Sequence, residues 1–328
     1  MDAAAPDTAE VRDRYLRFAR DEAPDRSAVY AAWAGGVADD ERVAGVLTRI
    51  PATHRQPPLV FAVARMLGAP EAGYAAFAEW VLGHADELVA ECSARSLQTN
   101  EPLRCAALLP ALSGVSGPIA LLEVGASAGL CLYPDRYSYR YDGGAALDPS
   151  DGPSAVVLRS ALTGDPPLRM PDIVWRAGVD LTPLDAADPA DRRFLTSLVW
   201  PGEEGRAARI EAALDVVAAD PPLLVRGDAT DPATLAHLAA RAPADATLVI
   251  TTPGVLPHIH RAGRARLVSS IRASGAVWIS IDPPAMHLDG VDAVDAAAGP
   301  GGFVLRRDGS ALARVDPLGA WVVWSTEA

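Results

Sequence analysis

The sequence contains no lysine. All 29 basic residues are arginine, set against 42 Asp and Glu for a net charge of −13. The arginines are scattered through an alanine-rich chain, a pattern that reads as coding bias rather than an arginine-built recognition surface. With no basic run and an acidic balance, a nucleic-acid surface is not expected. Cysteine is scarce: Cys92, Cys105 and Cys131 form no CxxC and have no paired histidine. That predicts a reduced, cytoplasmic protein without a metal site. No apolar run reaches the length of a membrane span, and the acidic, polar start MDAAAPDTAEVRDRY does not read as a signal peptide. The expected partner is a small molecule, not a nucleic acid or a membrane. What the chain does have is length, 328 residues with 50% apolar, enough for one large core or two ordinary ones.

Two textures divide it. From Thr8 to about Leu112 the apolar residues recur at helical spacing, as in Val11, Tyr15, Phe18 and Ala19. Ser27 stands as an N-cap, Pro57-Pro58 can open a helix, and one long helix is expected from Glu71 to Arg95. After Gly117 the run Pro118-Ile-Ala-Leu-Leu-Glu-Val reads as a buried parallel strand. Further strands are expected at Asp172–Gly178, Leu223–Arg226, Thr247–Thr251 and Ala276–Ile281. Helices are expected between them at Gly205–Ala219, Pro232–Arg241 and Ala262–Ala273. The segment from Tyr137 to Pro171 reads as an inserted loop or small hairpin. Phe303–Arg307, Ala311–Val315 and Trp321–Trp324 read as antiparallel strands, the first two joined by an Asp308-Gly309 turn. The fold class is therefore α/β: a helical cap over residues 1–115, then a Rossmann-like, mostly parallel sheet over 116–328 with an antiparallel C-terminal hairpin. A parallel sheet finished this way fits the class I methyltransferase plan, as an analogy of fold.

LLEVGASAGL (121–130) carries the most chemistry. Glu123 ends a strand and can meet a ligand amine or order the loop. Gly125 allows a sharp turn, and Gly129 allows a following helix to pack closely. Backbone N–H groups around Ser127 and the helix N-terminus are then expected to face a ligand. A tight turn without a ligand is the plainer alternative, since one glycine-rich turn is weak evidence. Gly125-Ala-Ser-Ala-Gly129 is also a G-x-S-x-G, the nucleophile elbow of α/β-hydrolases, with Ser127 as nucleophile and His258 or His260 as base. Against that, everything before Pro118 reads helical. An NAD-linked oxidoreductase is less expected, because the turn lacks the full G-x-G-x-x-G order.

Asp180, closing the second strand, is positioned for ribose hydroxyls, and Asp228 in LLVRGDATD for an adenine amine. His258 is placed as a general base, with Asp282 on the same rim. Each has a plainer alternative as a turn, cap or surface residue, and Arg176 with Asp180 and Asp185 can equally form a structural ion-pair network. Gln98, Asn100, Glu101 and Arg104 can contact substrate, Arg104 as a bidentate carboxylate partner. Thr99 capping a helix that Pro102 opens is a sufficient structural explanation of that block. Trp200-Pro201 is expected in an interdomain cleft.

Several blocks together resemble a bacterial family known as domain of unknown function 2332: Gln98-Thr-Asn-Glu101 with Arg104, Glu123–Leu130 with Asp135, Arg176–Asp180 with Pro183-Leu-Asp185, Val199-Trp-Pro201 with Arg206, and Gly227-Asp-Ala229. The family looks like a relative of Rossmann-fold methyltransferases. The resemblance implies that fold and S-adenosylmethionine as cofactor, but no settled reaction. Cys131, Thr251, Thr252 and Asp282 stand where the family pattern leads one to expect Asn, a nearby His, and Glu. The expectation is an S-adenosylmethionine-dependent methyltransferase acting on a small molecule. A non-catalytic S-adenosylmethionine- or nucleotide-binding regulator is the second reading, and an α/β-hydrolase using Ser127 a third.

Overall fold

The computed structural model describes residues 8–287, 294 and 302–325. Two compact units emerge: Met1–Thr99 with Asp188–Glu211, and Asn100–Ala187 with Ala212–Ala328. The grouping differs from a division at residue 115, because 100–115 falls in the second unit and 188–211 in the first.

The first unit is helical: α1 (Thr8–Asp21), α2 (Ala28–Asp39), α3 (Glu41–Leu47), α4 (Pro57–Met66), α5 (Tyr74–Gly83), α6 (Ala85–Ala94) and, after the second unit's α7 (Arg104–Ser113), α8 (Pro189–Ser197). Its starts follow sequence chemistry. Ser27 Oγ accepts the Tyr30 N–H at 3.2 Å, Asp40 caps α3 through the Arg42 N–H at 2.9 Å, and prolines open α4. The single helix expected over 71–95 is two. The chain leaves helical geometry at His84, whose ring stacks on Trp80 at 4.6 Å. Trp200, expected in a cleft, sits in this unit's aromatic core, 5.2 Å from the Phe18 ring and 5.5 Å from Tyr30. Arg26 lies 3.6 Å above its ring. Arg65 Nη1 donates to the carbonyls of Ser197 (2.9 Å) and Val199 (2.6 Å), fixing the segment.

The second unit is built on an eleven-stranded sheet: β1 (Pro118–Val124), β2 (Ser138–Tyr141), β3 (Ala146–Leu147), β4 (Val157–Thr163), β5 (Asp172–Asp180), β6 (Leu223–Arg226), β7 (Thr247–Pro253), β8 (Val277–Asp282), β9 (Phe303–Arg307), β10 (Ser310–Val315) and β11 (Trp321–Trp324). The spatial order is β3-β2-β4-β11-β10-β9-β8-β7-β1-β5-β6. Five strands, β6-β5-β1-β7-β8, are mutually parallel. Numbered among themselves they run 3-2-1-4-5, the order of a doubly wound sheet, in which ligands bind beyond the carboxyl ends where the order reverses. Here the reversal lies between β1 and β7. β9 and β10 continue antiparallel. Asp308 (φ 52°) and Gly309 (φ 90°) make the tight turn between them.

The continuous apolar run of β1 is explained by burial on both faces. On one face Leu122, Val124, Val179, Ile250 and Trp278 pack against Leu235 and Leu238 of α10 (Pro232–Ala239) and Leu267 and Ile271 of α11 (Arg261–Ala273). A further helix, α9, spans Arg206–Ala219.

One expectation fails here and another falls short. No helix follows Gly129, only the single 3-10 turn Leu130–Leu132. Pro134 excludes the preceding residue from helical geometry, and Tyr133 lies outside it (φ −118°, ψ 42°). The Tyr137–Pro171 segment holds the small hairpin, β2 with antiparallel β3, but is more than that: β4 joins the sheet parallel to β2 and to β11. Tyr137, Tyr139 and Tyr141 alternate inward, all buried.

Candidate functional site

The glycine-rich turn leaves β1 at the reversal point. Gly125, Ser127 and Gly129 all have positive φ (75°, 51°, 80°). For Ser127 this is strained backbone that something must hold. Asp180, at the end of β5, does so: its Oδ2 accepts the Ser127 N–H at 2.8 Å and its Oδ1 accepts the Thr182 N–H at 2.8 Å. Gly129 is required sterically as well, since a Cβ would stand 3.1 Å from Pro222 Cγ and 3.3 Å from Leu132.

The turn does not present its amides to a ligand as expected. The N–H groups of Gly125 and Ala126 donate to the Val179 carbonyl (2.8 and 3.3 Å), that of Ser127 to Asp180, and that of Gly129 to the Ala126 carbonyl (2.6 Å). With those four donors engaged and no helix N-terminus behind them, the turn has few N–H groups left for a phosphate. The Ser127 hydroxyl accepts from the Asn100 side-chain amide. Asn100 is thus joined to the motif it was read beside. Glu101, fully buried, accepts the Leu103 N–H at 3.0 Å just before α7, whose N-cap is Leu103 without a side-chain bond, so Thr99 does not cap it. Gln98 falls in the first unit, half-buried.

Two carboxyls are enclosed at the strand ends. Glu123, at the end of β1, is 3% exposed, and its Oε2 has no hydrogen-bond partner. Burial pushes its pKa well above the usual carboxyl range; Cys131 and Asp180 add to this and Arg104 opposes it. Asp282, at the end of β8, is fully buried. Its Oδ1 accepts the Leu256 N–H at 3.1 Å, and its Oδ2 is unpartnered. Burial raises its pKa too, against the Leu256 bond, Arg104 and Arg264. In both, burial favours the protonated form.

Arg104 influences both. It is 8% exposed, at the first position of α7. Nη1 donates to the Pro253 carbonyl at the end of β7 (2.8 Å) and Nε to the Pro317 carbonyl (2.9 Å). His258, in the turn after β7, is exposed by surface area, yet enough protein surrounds its ring to lower its pKa, with Arg104 adding to the effect. The structure thus gathers Glu123, Arg104, Asp282 and His258 around the ends of β1, β7 and β8, and Asp180 with Ser127 and Asn100 around the end of β5.

Asp228 is an exposed turn residue, its Oδ1 accepting the Thr230 N–H at 2.8 Å. Arg176 pairs not with Asp180 or Asp185 but bidentately with Asp135 (2.8 and 2.7 Å), a structural bond. Two open cavities lie apart from the gathered residues. One of about 300 Å³ is lined by Tyr133, Arg136 and Asp220. The other, about 410 Å³, is lined by residues of α10 and α11 and is mostly alanine and proline, without the convergent polar groups of a ligand site. Among the described residues no His, Cys, Asp and Glu group can hold a metal, and no helix is long and apolar enough to cross a membrane.

No curated protein and no solved structure matches the chain. One family model does, over residues 12–324, described as "Uncharacterized protein conserved in bacteria (DUF2332)". With nearly its whole length covered, the chain belongs to that family.

Proposed function

We propose that the second unit binds S-adenosylmethionine beyond the carboxyl ends of β1 and β5 and transfers its methyl group to a small molecule. The observation that carries this reading is the chemistry at the reversal point. The turn has committed the N–H groups of Gly125, Ala126, Ser127 and Gly129 to the protein, while Glu123, Asp180, Asp228 and Asp282 supply acids at or just beyond the ends of β1, β5, β6 and β8. A pyrophosphate needs free amides or cations there, which disfavours NAD and ATP. A phosphate-free nucleoside with cationic sulfonium and ammonium groups suits such a rim.

The residues fit that ligand. Each Asp180 oxygen accepts one N–H and retains a lone pair for a ribose hydroxyl. Glu123 Oε2 is an unused acceptor, and an ammonium beside it would draw its proton off. When bound, the sulfonium supplies an activated methyl group. The protein's part is to align the acceptor with it, which demands positioning more than covalent help. His258, neutral near pH 7, is the base available to take an acceptor proton.

The second reading, a regulator that binds the nucleoside without transferring its methyl group, shares this site. Incubation with methyl-labelled S-adenosylmethionine and a panel of small acceptors separates the two. Label transfer to an acceptor supports the enzyme; tight binding with no transfer across the panel supports the regulator. Ser127 as a hydrolase nucleophile has less support, because its hydroxyl is enclosed and engaged by Asn100.

A further inference from the structure

We propose that the methyl acceptor is a carboxylic acid whose carboxylate docks on Arg104; this rests on the methyltransferase reading above. Arg104 is a nine-tenths buried cation with no carboxylate within ion-pair distance among the described residues. Both of its bonds go to backbone carbonyls, those of Pro253 and Pro317. The remaining terminal nitrogen, Nη2, donates to nothing among the described residues. It lies against Gly254, where a Cβ would come within 2.7 Å of it, so a side chain there would displace the guanidinium. An enclosed guanidinium without a counter-ion is costly to keep, and Glu123 and Asp282, which feel its charge, are enclosed carboxyls that do not pair with it.

Position assigns the anion to the acceptor. Asp180, the proposed ribose partner, ends β5 on one side of β1, whereas Arg104 is fixed to the end of β7 on the other side. His258, the available base, follows β7 as well. Stoichiometry assigns its class: one free terminal nitrogen on a single enclosed guanidinium suits a monoanion and not a phosphate dianion.

The test titrates the full-length protein, with and without S-adenosylhomocysteine, using benzoate and acetate against their neutral amides benzamide and acetamide. Acids are expected to bind at least 10-fold more tightly than amides, and R104M, which removes the charge, is expected to remove that preference. G254A, which keeps Arg104 but crowds Nη2, is the second variant and should weaken the acids alike. Equal binding of acids and amides to the wild-type protein, or no binding of either, overturns the proposal without needing a variant. So does a result in which R104M instead erases the preference for S-adenosylhomocysteine over methylthioadenosine, because Arg104 would then hold the nucleoside's own carboxylate. Acids that bind a protein indifferent to S-adenosylhomocysteine uphold the Arg104 site while overturning the methyltransferase reading.

Discussion

Asp180 Oδ2 accepts the backbone N–H of Ser127 at 2.8 Å, so the acid ending β5 is bonded to the turn ending β1. The bond spans 53 residues of chain. It holds a non-glycine residue at φ 51°, a conformation that costs roughly 1–2 kcal/mol unless something compensates.

Asp180→Ala is therefore expected to destabilise the second unit by about 2–3 kcal/mol, since hydrogen bonds to a charged group each contribute roughly 1.5–3 kcal/mol. Asp180→Asn, which keeps one acceptor oxygen, should cost less. Urea denaturation followed by far-UV circular dichroism measures both; equal losses would show that the carboxylate does not hold the turn.

Gly129→Ala places a Cβ 3.1 Å from Pro222 at φ 80°. A loss of about 1–3 kcal/mol is expected, and a larger side chain should also abolish nucleoside binding. Normal binding by Gly129→Asp would contradict the placement of the site.

Glu123 and Asp282 give a pH signature. Their folded-state pKa values lie above the unfolded ones. Their contribution is thus fully present below about pH 4, the unfolded value, and is lost as pH rises through the folded value. Replacing either by its amide (E123Q, D282N) removes that loss. Relative to wild type, each variant's urea midpoint should climb between pH 4.5 and 8. A difference independent of pH would mean the carboxyl is ionised when folded.

His258 should titrate below its ordinary value near 6.5. R104M should move the midpoint upward by removing a nearby positive charge, while leaving the larger burial effect in place. Proton NMR of the imidazole reads both values. An unchanged midpoint in R104M would separate the two residues.

Trp200→Ala should cost about 3–5 kcal/mol, because the ring fills an aromatic cluster with Phe18 and Tyr30 beneath Arg26. The loss should appear in the first unit, as faster proteolysis within residues 8–99.

Much of this was legible in the sequence. The apolar run of β1, the Ser27 cap, the paired prolines of α4 and the Asp308-Gly309 turn each follow from local chemistry. The grouping of Asn100, Glu101 and Arg104 with Glu123 was not legible, because the change of texture at Gly117 sets the helix they precede with the cap. Where local signals existed and were overridden, the reason is visible. The Tyr137, Tyr139, Tyr141 alternation marks a strand, but the Gly, Pro and Asp around it read as loop. Asp188-Pro189 is the N-cap and first residue of α8, a nine-residue helix that buries only Phe194 and Leu195. Other features had no local signal. Nothing near Asp180 in sequence says that its carboxylate is engaged by Ser127, and nothing near Gly125 says that its N–H is taken by Val179. Such bonds join strands adjacent only in the folded sheet, and with the turn's own Gly129–Ala126 bond they take up four of its amides.

The central claim is a phosphate-free nucleoside held at the β1–β5 edge. Calorimetric titration with S-adenosylhomocysteine, with NAD and ATP as controls, tests it most directly. The account predicts one micromolar site for S-adenosylhomocysteine, little heat from NAD or ATP, and marked weakening in Asp180→Ala. Binding of NAD or ATP in preference to S-adenosylhomocysteine, or no nucleoside binding at all, would contradict it.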